Sequence, residues 1–461
     1  MVDPHFPRLF LIIRMERVAR AGGTIDVFGA QWIAAGVQGI FAMTPFQRFV
    51  AASGMTNLAD GVAVVAWGWA ASLLTRDALL VALVPVALRL PWFLFALPAG
   101  IVTDRVDRRR LIVAMDALRA AAFVVAAVSI WSALPLAAAP MRGVSDAGLY
   151  GMILIAGLVV GGAEVFRDNA AQTMLPALVP VAELERANGQ LWSVELLANS
   201  LLGPALGAFL IAVALPLPFT LNAVAYALAM VLVLRIAGNF RAKQAVSRNW
   251  RRELFEGFNF LRNAPLLRTL AWTTGFWNLF HQMIPIALVL HAQENLGLSA
   301  QLYGLVLAGG AVGGVLGSLT GPAIARALGS ARTTQLMLAT SAPAFAAVAI
   351  APGPFTLCLV FVVFEFAGLV WNIVSVSTRQ RMIPDAMLGR VNSIYRLLAW
   401  GMIPVGLVLS GVIVRAADGP LSRSTALILP FWAAALGALI LTFVAWRALG
   451  RGFALNSDKK I

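Results

Sequence analysis

The sequence predicts an all-α integral membrane protein, with twelve transmembrane helices in two six-helix bundles. Three observations predict it. The 461-residue chain is 60% hydrophobic and only 12% charged, about half the charged share of a soluble domain. Twelve apolar segments each reach the roughly 20 residues needed to cross a hydrocarbon core of about 30 Å. A long basic connection near mid-chain then divides them six and six.

The segments lie at roughly 49–74, 78–103, 109–133, 148–168, 188–214, 216–237, 267–291, 300–327, 334–352, 356–382, 390–415 and 424–448. Lys and Arg resist translocation, so their distribution sets sidedness. With both termini in the cytosol, only Arg76, Arg142, Arg415 and Arg423 of the 35 Lys and Arg fall in outer loops, and Arg89 and Arg119 fall inside spans. Shifting the assignment by one span reverses this asymmetry.

The expected organisation follows. Residues 1–44 form a cytoplasmic amino-terminal extension. They carry Arg14, Arg17 and Arg20 without a small-residue cleavage site after an apolar core, so no signal peptide is read there. A thirteenth span over 24–43 and a start at Met43 are the alternatives. The first bundle covers 45–237, a linker 238–266, the second bundle 267–449 and a cytoplasmic tail 450–461. In the linker, Trp250, Leu254, Phe258 and Leu261 recur at helical spacing with charges between them, the pattern of an amphipathic helix lying in the membrane surface.

Several functions are excluded. The net charge of +14 does not imply nucleic acid, because the arginines are spread over separate loops. Cys358 is the single cysteine and there are three histidines, which leaves no disulfide framework and argues against a structural metal site. No phosphate-cradling Gly-x-x-x-x-Gly-Lys-Ser/Thr loop is present, so ATP does not drive the protein directly. No histidine is placed to activate a nucleophile. The expectation is a non-enzyme without cofactors or metal, whose partners are a small-molecule substrate, protons and the lipid bilayer.

Ionisable residues inside spans are costly and usually face a cavity or a partner. Asp60 and Arg89 sit at similar depth in spans one and two and are expected to pair, either as a permanent brace or as a proton-responsive couple. Glu164 and Asp168 share one face of span four. Glu195 in span five and Glu365 in span ten are more isolated, and Asn372 lies two turns after Glu365 on the same face. Asn278 and His281 in span seven are weaker candidates. Asp116 and Arg119 in span three are expected to brace the turn that precedes them. Trp92, Trp192, Trp277, Trp371 and Phe276 are candidate aromatic walls, although most such residues serve packing or face lipid.

That turn, between spans two and three, reads Gly100-Ile-Val-Thr-Asp104-Arg105-Val-Asp107-Arg108-Arg109-Arg110. Asp104 falls at the carboxyl end of a helix, the unfavourable end for an anion, and Gly100 one turn earlier leaves room for another helix to approach. Span five contains Gly203-Pro204-Ala-Leu-Gly207, in which Pro204 removes a backbone hydrogen bond. Span eight carries Gly309, Gly310, Gly313, Gly314 and Gly317, two small-residue rows suited to close packing or sliding.

The turn resembles the signature Gly-x-x-x-Asp-Arg-x-Gly-Arg-Arg of the major facilitator superfamily, with Gly100, Asp104, Arg105, Arg108 and Arg109 in register and Asp107 replacing the second glycine. The span-five stretch resembles the Gly-Pro-x-x-Gly motif of its exporter branches. A degenerate counterpart of the turn, with Gly317, Gly321, Arg326 and Arg332, follows span eight. The stretches 166–180, 255–268 and 380–391 look like the bacterial subgroup of enterobactin exporters and macrolide efflux proteins; the resemblance covers about 46–450. It implies two pseudo-symmetric bundles with a binding site between them near mid-membrane, and spans one, four, seven and ten lining it, which would place Glu365 and Asn372 there. It also implies a bacterial inner-membrane location and, by default, a monomer.

The function expected is a secondary transporter: a proton-coupled exporter of amphipathic small molecules, a drug or siderophore, working by alternating access. Asp60 or Glu365 would take the proton, and the Asp104 turn would latch one conformation. A lysophospholipid flippase, a nutrient importer of the same fold, and a non-transporting receptor or scaffold are the alternatives.

Overall fold

The computed structural model describes residues 43–180, 183–241 and 250–457, and every long element in it is helical. Nearly all of the expected extension, part of the linker and the last residues of the tail lie outside the described residues. Ten described helices are long and apolar enough to cross a membrane. One of them, Ala300–Ile350, holds 51 residues, more than twice the length one crossing needs. It is two crossings, because Gly329 has φ +78° and breaks the helix, a backbone conformation that glycine adopts without strain. Pro265–Glu294 is less apolar but has 30 residues, enough to cross as well. Twelve spans result among the described residues.

Spans one to four are Pro45–Leu74, Ala78–Arg105, Arg108–Ser132 and Ala147–Met174. Span five is composite: Leu184–Glu195, a π-helical Leu196–Leu202, and Gly203–Val213. Span six is Leu217–Leu234 and the linker helix Trp250–Asn263. Span seven is Pro265–Glu294, and spans eight and nine are the two legs on either side of Gly329, the second continuing through Ser341–Ile350. Spans ten to twelve are Pro354–Met382, Asp385–Trp400 with Ile403–Ala417, and Arg423–Ser457. The last helix therefore runs on through most of the expected tail.

Local chemistry sets several of these boundaries. Thr44 accepts from the Gln47 amide at 3.2 Å while Gln47 Oε1 accepts from the Thr44 amide at 2.9 Å, a capping box that starts span one with Pro45 as its first residue. Asp77 and Asp146 cap spans two and four through the amides of Leu79 and Leu149 at 3.1 and 2.9 Å. Pro204 explains the π-helical turn before it: the amide of Gly203 reaches back to Ala198 O, a widened turn that accommodates a residue lacking its own N–H.

Lipid tails are as apolar as Leu, so packing rather than exclusion from water holds such helices together. In the first bundle, Trp67 of span one meets Phe219 of span six edge-on at 4.9 Å, and Phe123 of span three stacks on Tyr226 at 5.5 Å. Each such pair adds about 0.5–1.5 kcal/mol. Gly203 and Gly207 bring span five against Gly61 and Val62 of span one. In the second bundle, most of the span-eight glycines lie against span ten, so their first role is tight packing within one half.

Loop ends divide the molecule into a basic end, which holds the turn at 105–108, and an opposite end. The halves meet through spans two and eleven and through spans five and eight. A Cβ on Gly411 would come within 2.7 Å of Leu79 Cα, and one on Gly304 within 3.0 Å of Pro204 O; both contacts lie toward the opposite end. Gly100 differs. No neighbouring helix fills the room expected beside it in this state: a Cβ there would meet nothing within 4 Å. It lies toward the basic end, away from the close contacts between the halves.

Candidate functional site: buried charges and the two ends of the bundle

The first bundle gathers its charges into three groups. Asp60 on span one accepts from the Arg119 guanidinium on span three and from the Tyr226 hydroxyl on span six at 2.6 Å. Arg119 also donates to Tyr226 Oη at 2.6 Å and lies over its ring at 4.1 Å. The Arg119 side chain is 1% exposed and Asp60 24%, so the carboxylate is the member that water reaches. Beside this triad, Arg89 of span two pairs with Glu164 of span four at 3.7 Å. Nearer the basic end, Arg167 bridges Asp116 at 3.6 Å and its neighbour Asp168 at 3.4 Å.

Two expected contacts are corrected by this arrangement. Asp60 pairs with Arg119, not Arg89, and Arg119 and Asp116 join the buried network rather than brace the turn. The reason is lateral placement: spans one, three and six converge on one axis, which equal depth along neighbouring spans does not reveal. Tyr226 was not singled out from the sequence; a lone tyrosine in a mostly apolar span, one turn after Asn222, was the available signal. Glu195 is exposed and has no hydrogen-bond or ion-pair partner among the described residues.

The second bundle is sparser. His281 Nε2 and Glu365 Oε1 lie 3.4 Å apart. The imidazole lies in an aromatic cluster with Trp277 at 4.9 Å and Phe364 at 5.1 Å, which themselves meet at 5.6 Å. Trp277 donates to Ser341 Oγ at 2.9 Å, and Asn278 to Ala399 O at 2.7 Å. Asn372 is exposed, Trp371 is packed into the bundle core, and Trp192 and Phe276 are exposed. Trp92 meets Trp400 of the other half at 5.8 Å.

At the basic turn the side chain of Asp104 lies outside the described residues; its backbone is the second-last position of span two. The arginines after it bind helix ends within their own half. Arg108 Nη1 donates to Thr173 O at 3.0 Å and Arg109 Nη1 to Ile236 O at 2.7 Å, the carboxyl ends where a cation is favoured. Asp107 accounts for the missing glycine. It caps span three through the Arg110 amide at 2.9 Å and receives the Phe240 amide at 3.0 Å, with an ordinary φ of −68°. Burial alone would raise its pKa, but those two amides and the charges of Arg109 and Arg110 lower it overall.

At the opposite end, the four arginines that stood out in the charge distribution form one network across the halves. Arg423 donates to Glu294 at 2.8 Å, to Asp418 at 2.9 Å and to Arg76 O at 2.6 Å. Arg76 reaches Gln293 Oε1 at 2.6 Å, and Gln293 donates to Ser72 Oγ at 2.7 Å. Arg142 donates to the carbonyls of Arg415 and Asp418 at 3.1 and 3.0 Å, and Arg415 lies 3.6 Å from Asp77. A shallow surface groove lies toward the basic end within the first half, between Phe46, Gln47 and Val50 of span one and Gln190, Ser193 and Val194 of span five.

Known proteins match this architecture. The transmembrane secretion effector family matches residues 38–451. The multidrug efflux pump Tap of Mycolicibacterium fortuitum is 27% identical over 408 residues, 84% of this chain and 91% of its own. A bacterial homologue of the iron transporter ferroportin in its inward-facing state shares the fold at TM-score 0.68 and 15% identity, over 88% of this chain and 98% of that one. The outward-facing state of a bacterial ferroportin homologue gives TM-score 0.54 at 16% identity, over 87% and 99%. The chain is a multi-pass membrane transporter, not an enzyme, and belongs to the transmembrane secretion effector family of the major facilitator superfamily.

Proposed function

We propose that this transporter is a proton-coupled exporter of amphipathic small molecules, working by alternating access in a bacterial inner membrane with the basic end in the cytosol. The Asp60–Arg119–Tyr226 triad carries the reading. A carboxylate within a span, held by a fully buried arginine and still partly open to water, is a group whose protonation changes what its neighbours must do. A proton on Asp60 removes the counter-charge of Arg119, and an unpaired buried guanidinium is costly. Arg119 then turns toward Glu164 and Asp116, whose charges act on it, and spans one, three and six shift with it. Glu365 with His281 offers a second proton site in the other half.

The side-chain network at the opposite end supports a state closed there and open toward the basic end. The better superposition on an inward-facing relative agrees with that. The likeness to the multidrug efflux pump Tap supports export of small molecules, and the Gly203-Pro204…Gly207 element supports an exporter. The test is uptake of a screened compound set into inside-out vesicles with and without a proton gradient. Asp60→Asn is expected to abolish the dependence on the gradient while the protein still inserts and binds. Gradient-driven uptake that survives Asp60→Asn unchanged would overturn Asp60 as the proton site.

A further inference from the structure

Arg379 and Arg396 belong to none of the groups described above. They lie toward the basic end of the second bundle, on spans ten and eleven. Each guanidinium is laid on an aromatic ring: Arg379 over Tyr395 at 3.8 Å and Arg396 over Trp400 at 4.2 Å. Tyr395 is itself fixed by Thr274 Oγ1 at 2.8 Å, Ser375 Oγ at 3.1 Å and Leu270 O at 3.1 Å, so the shelf under Arg379 is rigid. Among the described residues neither arginine has a carboxylate within ion-pair distance, and Arg379 Nε is buried without a hydrogen-bond partner. Arg396 lies within the field of both Asp168, which attracts it more strongly, and Arg379, which opposes it.

Two half-buried cations within electrostatic range of one another, neither with a carboxylate at ion-pair distance among the described residues, form an incomplete arrangement. Arg89, Arg119 and Arg167 of the first bundle each have an acid at ion-pair distance; among the described residues this pair has none. Arg379 also continues a line along span ten. Glu365, Asn372 and Arg379 are spaced by seven, hence on one face, about 10 Å apart per step. That face is partly exposed at Glu365 and exposed at Asn372.

We propose that Arg379 and Arg396 form a binding site for an anionic group, a carboxylate, phosphate or sulfonate, at the head of an amphipathic cargo. A planar guanidinium presents paired donors that match such groups. Tyr395 and Trp400 hold the two forks in place, and the apolar part of the cargo extends along span ten toward Asn372. The identity of the anion as cargo rests on the exporter reading above; the binding itself does not.

The test is equilibrium binding to the purified full-length protein in neutral phosphatidylcholine nanodiscs, with no gradient present. Failure of proton coupling therefore leaves this result untouched. Decyl phosphate, decyltrimethylammonium and decyl maltoside serve as matched probes. Wild type is expected to bind decyl phosphate about tenfold or more tighter than the ammonium probe. Arg379→Gln and Arg396→Gln are each expected to lose about tenfold for decyl phosphate alone, as for one charge-assisted hydrogen bond. Arg379→Lys should recover only part, because it restores charge without the fork. Unchanged decyl maltoside binding certifies that each variant is folded.

Equal affinity for phosphate and ammonium probes would overturn the site. So would a variant that weakens both probes alike. If Arg396→Gln instead leaves anion affinity intact and changes the separation of the halves without ligand, Arg396 is a gate partner of Asp168, whose field it feels, and the proposal fails. Adding phosphatidylglycerol to the nanodiscs assigns the source once anion selectivity is found: competition identifies a lipid headgroup, and its absence a soluble cargo.

Discussion

The two ends of the bundle use arginine in opposite ways. At the basic end Arg108 and Arg109 bind the carbonyls of Thr173 and Ile236, both in their own half. At the opposite end Arg76, Arg142, Arg415 and Arg423 join one half to the other. The abundant arginines orient and stiffen a bundle; the few at the other end set how the bundles sit relative to each other. Glycine follows the same division. Gly411 and Gly304 are in tight contact across the halves, whereas Gly100 faces open space.

The comparison can be broken most strongly at Gly411. Gly411→Leu would drive a side chain into the Leu79 backbone, and overpacking costs about 1–3 kcal/mol. The closed population at the opposite end should fall by about tenfold or more, read by spin-label distances between Ala138 and Ser422; an unchanged distance distribution would count against closure there. Arg423→Ala comes next. It removes the charge-assisted bond to the Arg76 carbonyl across the halves, about 1.5–3 kcal/mol when buried and less for a side chain 19% exposed. The same label pair should report a several-fold gain of the open form, and Arg423→Lys a smaller one.

How much of this was legible beforehand differs by element. The twelve spans were readable because apolar length and basic asymmetry are properties of single segments. Asp60 stood out too, since a carboxylate in a span is conspicuous. Its partner was not readable: Arg119 reaches it only because three helices converge, and Tyr226 gave no charge signal. Arg76, Arg142, Arg415 and Arg423 were visible as exceptions to a charge rule, yet their meaning lies in partners far away in sequence. Asp107 was visible as a departure from the family turn, and its capping geometry explains why the departure is tolerated.

Asp107→Ala should have a smaller effect, confined to the basic end. Loss of the cap costs about 1 kcal/mol, seen in thermal unfolding, with the opposite-end distance unchanged. Its pH dependence has a definite sign. The folded pKa is lowered, so the carboxylate stabilises the turn above its ordinary value near 3.8. That contribution is lost as pH falls through the folded pKa. The gap between wild type and Asp107→Asn should therefore begin to narrow below the ordinary carboxylate value and close once pH falls below the lowered folded value, and a gap that does not narrow with acid would contradict the assignment. Gly100→Leu should have the least effect at rest, within about 0.5 kcal/mol, because nothing lies near it. Transport should nevertheless fall, as closure at the basic end brings a helix against it.

The most direct test measures both ends of one molecule. Spin-label pairs at Ala138 with Ser422 and at Arg110 with Ala327, in a Cys358→Ser background, report the opposite and basic ends before and after cargo is added at alkaline pH, where the proton site is empty. The account predicts that the opposite-end distance lengthens while the basic-end distance shortens. Two distances that stay fixed, or that lengthen together, would contradict it.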